Sequence, residues 1–149
     1  MAYTPPDYGG YERAKGDVEY SYGKDAATNA YGRFISQQRG SRGLADTSRQ
    51  FGRQTPLFKS QCGQRGLANS GVQSGVMQNS MNNYLGDYAR NYGRQQQDLT
   101  QNLQQYDMNQ SNLDAWRTQQ LGSIEASKAR AIADDAAQLE WLRSIVGGL

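Results

Sequence analysis

The stretch LTQNLQQYDMNQSNLDAWRTQQLGSI, Leu99 to Ile124, decides how the second half of this chain folds. Its centre, Asp107 to Asn112, is built of turn-favouring residues, and a hairpin reversing there is one reading. The apolar residues argue for another. At about 100° per residue, Leu99, Leu103, Tyr106, Leu113, Leu121 and Ile124 share one face. The phase survives the polar centre, where a loop would reset it.

Followed outward, Met81, Leu85, Tyr88, Tyr92, Ile132, Leu139, Leu142 and Val146 join the same stripe, which is about 120° wide. No proline follows Pro56. The spacing predicts one amphipathic helix over 76–146, about 105 Å long at 1.5 Å per residue. Gln95, Gln110, Arg117, Lys128 and Asp135 interrupt the stripe and make it thin and mixed. A second face, about 120° away, collects Gly75, Gly86, Gly93, Ser111, Gly122 and Ala129, with Ala115 and Ala133 nearby. Glycine within a helix costs up to about 1 kcal/mol relative to alanine, so several on one side suggest close approach of another backbone. Two contact faces imply a bundle or ring of chains. The apolar end LEWLRSIVGGL places Trp141 and Leu142 as candidates for docking into a partner.

Upstream, residues 31–75 write one motif twice. RGLADTS begins at Arg42 and RGLANSG at Arg65, with Leu67 in the second copy. Asp46-Thr47 and Asn69-Ser70 are suited to capping helix starts, and the glycine before each leucine permits a sharp turn. Each copy therefore reads as a joint between short helices, with Pro56 ending the one between them. Residues 1–30 read as an extended arm: Pro5-Pro6 blocks regular structure, and Gly9, Gly10, Gly16 and Gly23 disfavour a helix. Tyr3, Tyr8, Tyr11, Tyr20 and Tyr22 stud that arm. Tyrosine offers wide contact area at small conformational cost, which suits a strap laid along a neighbouring subunit. The fold expected is all-α and elongated, without a compact monomeric core.

Composition points the same way. Of 149 residues 36% are hydrophobic, ten of them Tyr, which leaves few aliphatic side chains to offset chain ordering. Gly is high at 17. A segment that folds only on its partner is the alternative. The net charge of +2 hides a pattern. Residues 31–65 hold seven Lys/Arg against Asp46, whereas 1–30 and 66–149 are each mildly acidic. No run reaches the ~18 apolar residues of a membrane span, and MAYTPPDYGGYERAK lacks the apolar core of a signal peptide. A soluble protein of a reducing compartment is expected.

Chemistry is sparse. There is no His and a single Cys, which removes the usual general base, a Cys–His pair and a thiolate zinc site. Cys62 reads as a small neutral side chain. Asp134-Asp135 are adjacent on a helix and point apart. GQRGLANSGVQSG lacks the Lys-Ser/Thr of a phosphate-binding loop. No enzyme, metal or cofactor is expected. The basic middle, where Arg33, Arg39, Arg42, Arg49, Arg53, Lys59 and Arg65 alternate with Tyr31, Phe34, Phe51 and Phe58, is expected to grip protein first and nucleic acid second.

The order AYGRF, FGRQTPLF, QRGLANSGV and then NNYLGDYARNYGRQQQDL resembles small virion structural proteins of tailed bacteriophages. The matching positions are Arg65, Gly66, Leu67, Ser70 and Gly71, with Tyr84, Tyr88, Arg90 and Tyr92 beyond, and the resemblance covers roughly residues 30–105. The first copy departs from the pattern, with Thr47-Ser48 in place of Ser-Gly. The resemblance implies a non-enzymatic virion component made in the host cytoplasm, present in many copies, bound to itself and to other virion proteins. Capsid, portal and neck, or tail are its possible places. An internal protein ejected with the DNA as a helical conduit is the alternative. Partner contacts are expected at Tyr8, Tyr11, Tyr20, Tyr22, Arg42, Arg65, Leu67, Tyr88, Tyr92, Leu99, Leu103, Leu113, Leu121, Trp141 and Leu142.

Overall fold

The computed structural model describes residues 7–64 and 75–146. Every one of these except Asp7 is α-helical. Helix α1 runs Tyr8–Gln64 and α2 runs Gly75–Val146. The helix α2 passes without a break through Asp107–Asn112.

The arm expected over 1–30 is helical from Tyr8 onward, and three causes are visible. Asp7 caps the helix: its Oδ1 accepts from the Gly9 amide at 3.0 Å, and its carbonyl accepts from the Gly10 amide at 3.3 Å. Tyr8, Tyr11, Lys15, Val18, Tyr22, Ala26 and Asn29 recur at three- and four-residue spacing and are half-buried. Packing along that seam offsets the helix-weakening glycines, a tertiary gain that local propensity does not contain.

The first joint is likewise absent. Arg42–Ser48 lies inside α1. Gly43 has ordinary helical backbone, and Thr47 spends its hydroxyl on Gln95 Oε1 at 2.8 Å instead of capping. Pro56 does not end a helix either; it sits within α1. Its ring denies the Gly52 carbonyl an amide partner. One residue earlier, Thr55 Oγ1 donates to the Phe51 carbonyl at 2.7 Å. The second joint, with Arg65 and Leu67, lies outside the described residues.

The chain divides into two units. The first pairs residues 1–30 with 107–149, and the second is 31–106. In each, α1 and α2 run antiparallel, since partners on α2 fall in number as those on α1 rise. Among the described residues only Cys62 is buried, at 6% exposure. Two helices have a seam and no interior, so each unit is held by one line of contacts.

Candidate functional site

The seam of the first unit is polar and charged. Lys15 Nζ lies 3.1 Å from Glu125 Oε1, and Lys128 Nζ lies 2.7 Å from Glu12 Oε1. Arg117 forks onto Glu19 with Nε at 2.9 Å and Nη2 at 2.7 Å. Tyr22 donates to Asp114 Oδ1 at 2.6 Å. Gln110 Nε2 donates to both, at 3.2 and 3.1 Å, and Asn29 donates to Gln110 Oε1 at 3.3 Å. Val18, Leu113, Leu121 and Ile124 are the half-buried apolar residues between these pairs.

The electrostatics follow from the contacts. The Lys128 ammonium hydrogen-bonds Glu12 and holds its carboxyl below the ordinary range, and the same bond raises Lys128. The hydrogen bond to Asp114 pushes the Tyr22 phenol up, with desolvation adding. Tyr8 is raised first by desolvation and then by Asp135. Glu19 raises Arg117. These groups stay partly exposed, so each pair adds little net stability. Their use is register: sliding α1 along α2 would separate them all at once.

The seam of the second unit is aromatic. Phe51 stacks on Tyr88 at 3.9 Å between ring centroids and on Tyr84 at 5.3 Å. Phe58 stacks on Tyr84 at 4.9 Å, and Tyr92 tilts against Tyr88 at 5.8 Å. Further along, α1 supplies glycines instead of rings. A Cβ at Gly40 would stand 2.5 Å from a Leu99 methyl, and one at Gly32 would stand 2.8 Å from Tyr106 Cε1. Large side chains of α2 thus sit over bare backbone on α1. Beside them lies a groove of about 560 Å³ lined by Tyr31, Ile35, Arg39, Asp98 and Tyr106 among others.

The expected contact residues divide accordingly. Tyr8, Tyr11, Tyr22, Tyr88, Tyr92, Leu99, Leu103, Leu113, Leu121 and Leu142 are half-buried. Tyr22, Tyr88 and Leu99 meet Asp114, Phe51 and Gly40 across the seam, and Tyr92 leans on Tyr88 of its own helix. Tyr20, Arg42 and Trp141 face outward. Among the described residues no backbone approaches the glycines of the small-residue face of α2: a Cβ at Gly75, Gly93 or Gly122 would meet nothing within 4 Å, and one at Gly86 meets only Arg90 at 4.0 Å. Close approach occurs at Gly32 and Gly40 of α1.

Sequence reasoning missed Glu12 and Glu19 as partners and Asp7 as a cap. The signals were present. Pro5-Pro6-Asp7 is a helix-start pattern, and the three- and four-residue spacing from Tyr8 to Asn29 runs straight through the glycines. Among the described residues there is no group of acidic, Cys or His side chains able to hold a metal, and no helix long and apolar enough to cross a membrane. No known family, curated protein or solved structure matches the chain.

Proposed function

We propose that this chain is a non-enzymatic structural component of a tailed-phage particle, a helical hairpin that packs with copies of itself and with neighbouring virion subunits. One observation carries the reading. Tyr20, Tyr31, Phe34, Leu57 and Trp141 are 77, 68, 59, 63 and 62% exposed, while Cys62 alone among the described residues is buried. A seam of one helix on another leaves much apolar surface in water, and covering it by association is the standard remedy. The resemblance of residues 30–105 to small virion proteins supports the same reading.

Particles opened by forced genome release, then fractionated and followed by mass spectrometry, test it. The chain should remain with empty shells and tails. Departure with the DNA, or absence from particles, would overturn it. Trp141→Ser should reduce incorporation and leave the helicity of the purified chain intact. Leu113→Asp, on the seam, should lower both.

A further inference from the structure

The outer side of α1 in the second unit carries a line of arginines. At about 100° per residue, Arg39, Arg42, Arg49 and Arg53 fall within an arc of about 80°. That arc lies roughly opposite Gly40, Thr47, Phe51 and Phe58, which meet α2. All four arginines are exposed. Asp46 is the one acidic residue between 39 and 53, and it lies 3.5 Å from Arg49. Arg39, Arg42 and Arg53 pair with no carboxylate among the described residues.

Charge is sorted between the units. Residues 31–106 hold nine Lys/Arg and three Asp/Glu, whereas 1–30 and 107–149 together hold seven and eleven. In the first unit, Lys15, Arg117 and Lys128 are matched by carboxylates across the seam. Arg42, Arg49 and Arg53 point away from its seam and have no such match, and Arg39 flanks the groove beside the seam. Like charges three and four residues apart also disfavour an isolated helix, an effect that an anionic surface would offset.

We propose that Arg39, Arg42, Arg49 and Arg53 form a sequence-independent binding surface for the phosphate backbone of a nucleic acid. The line spans about 21 Å of helix, and each guanidinium can fork onto one phosphate. Gln38, Ala45, Asp46 and Gln50 lie along and beside it; the large apolar side chains from 38 to 53 are Leu44 and Phe51, both on the seam side, and exposed Tyr31 and Leu57 stand at its two ends. A protein interface is usually anchored by apolar or aromatic side chains at its centre; a phosphate track needs none. The surface stands independently of the assembly reading, because a chain can join the particle with or without touching nucleic acid.

Anisotropy of a labelled duplex and a labelled single strand, each of about 30 nucleotides per strand, titrated with the full chain, tests this. Four phosphate contacts predict a log–log salt slope of about −3.6 on duplex and about −2.8 on single strand. Affinity for duplex should therefore fall by about two orders of magnitude between 50 and 200 mM salt. Arg42→Ala with Arg53→Ala should roughly halve the slope, and alanine at all four positions should remove binding with helicity kept. Arg130→Ala with Arg143→Ala, in the first unit, should change nothing. Absence of binding at low salt, a slope near zero, or binding that survives the fourfold variant would overturn the proposal. Displacement of the DNA by polyglutamate at equal charge concentration would overturn it too, in favour of an acidic protein partner.

Discussion

Arg117 of α2 forks onto Glu19 of α1 through two bonds of 2.9 and 2.7 Å, while its guanidinium carbon lies 4.9 Å from the centroid of the Tyr22 ring. Two residues 98 positions apart thereby fix where one helix stands against the other in the first unit. Arg117→Lys keeps the charge but loses the fork and the planar contact with the ring. It should lower the melting temperature in low salt, and Glu19→Gln should do the same. A double-mutant cycle between the two should show coupling that shrinks at about 1 M salt, where screening reaches within ~3 Å. Strict additivity would remove the register argument.

Gly40 and Gly43 make a paired comparison on one helix. Both gain about 1 kcal/mol of helix propensity on change to alanine. A Cβ at Gly43 meets nothing within 4 Å, whereas one at Gly40 stands 2.5, 2.9 and 3.0 Å from three Leu99 carbons. Gly43→Ala should therefore stabilise by about 0.5–1 kcal/mol, while overpacking at about 1–3 kcal/mol turns Gly40→Ala neutral or destabilising. Urea denaturation of both variants checks this, and equal gains would mean that Leu99 yields freely.

The Tyr84 hydroxyl is buried without a hydrogen-bond partner among the described residues, although its ring stacks on Phe51 and Phe58. Leaving such a group unsatisfied costs about 1–3 kcal/mol. Tyr84→Phe keeps the stack and removes the hydroxyl, so it should raise stability by about 1 kcal/mol. Phe51→Ala removes the ring shared by Tyr84 and Tyr88 and should cost about 2 kcal/mol at this half-buried site. Loss of stability in Tyr84→Phe would show that the hydroxyl is satisfied in solution.

Stability should fall at both ends of the pH scale, for different groups. The carboxyl of Glu12 is held below its ordinary 4.5, so its contribution is present above that value and is lost as pH falls through the lower folded value. The Tyr8, Tyr22 and Lys128 groups are raised above their ordinary 10.0, 10.0 and 10.5. Their contributions are present below those values and are lost as pH rises beyond them. Helicity at fixed temperature should be level through neutral pH and decline below about 4.5 and above about 10. Glu12→Gln should blunt the acid arm, and Tyr22→Phe the alkaline arm. Unchanged profiles would assign the transitions to other groups.

The helical character of 76–146 was legible because it is written locally, in the phase kept by Leu99, Leu103, Tyr106, Leu113 and Leu121 across a polar centre. The interruptions at Gln95, Gln110, Arg117 and Lys128 were legible as positions on that face. Their purpose was not. Each meets a side chain of α1: Thr47, Tyr22, Glu19 and Glu12. Those partners sit in segments whose glycines and proline argue against a helix. Local propensity weighs Gly9, Gly16, Gly32, Gly40 and Pro56 as breakers, because it carries only the cost of each residue to an isolated helix.

What the amino-acid sequence determined by itself, then, is an all-α class with one long helical stretch over 76–146, a thin mixed stripe along it, and no histidine for acid–base or metal chemistry. Only the tertiary structure decided that residues 8–64 form one helix, that the breaker at Gly40 is a seat for Leu99, and that the flaws in the apolar stripe are the bonds that set register. The physical reason is range. A helix period is expressed within a few turns, whereas the pairing of Glu19 with Arg117 exists only once two distant helices lie side by side and each completes the other.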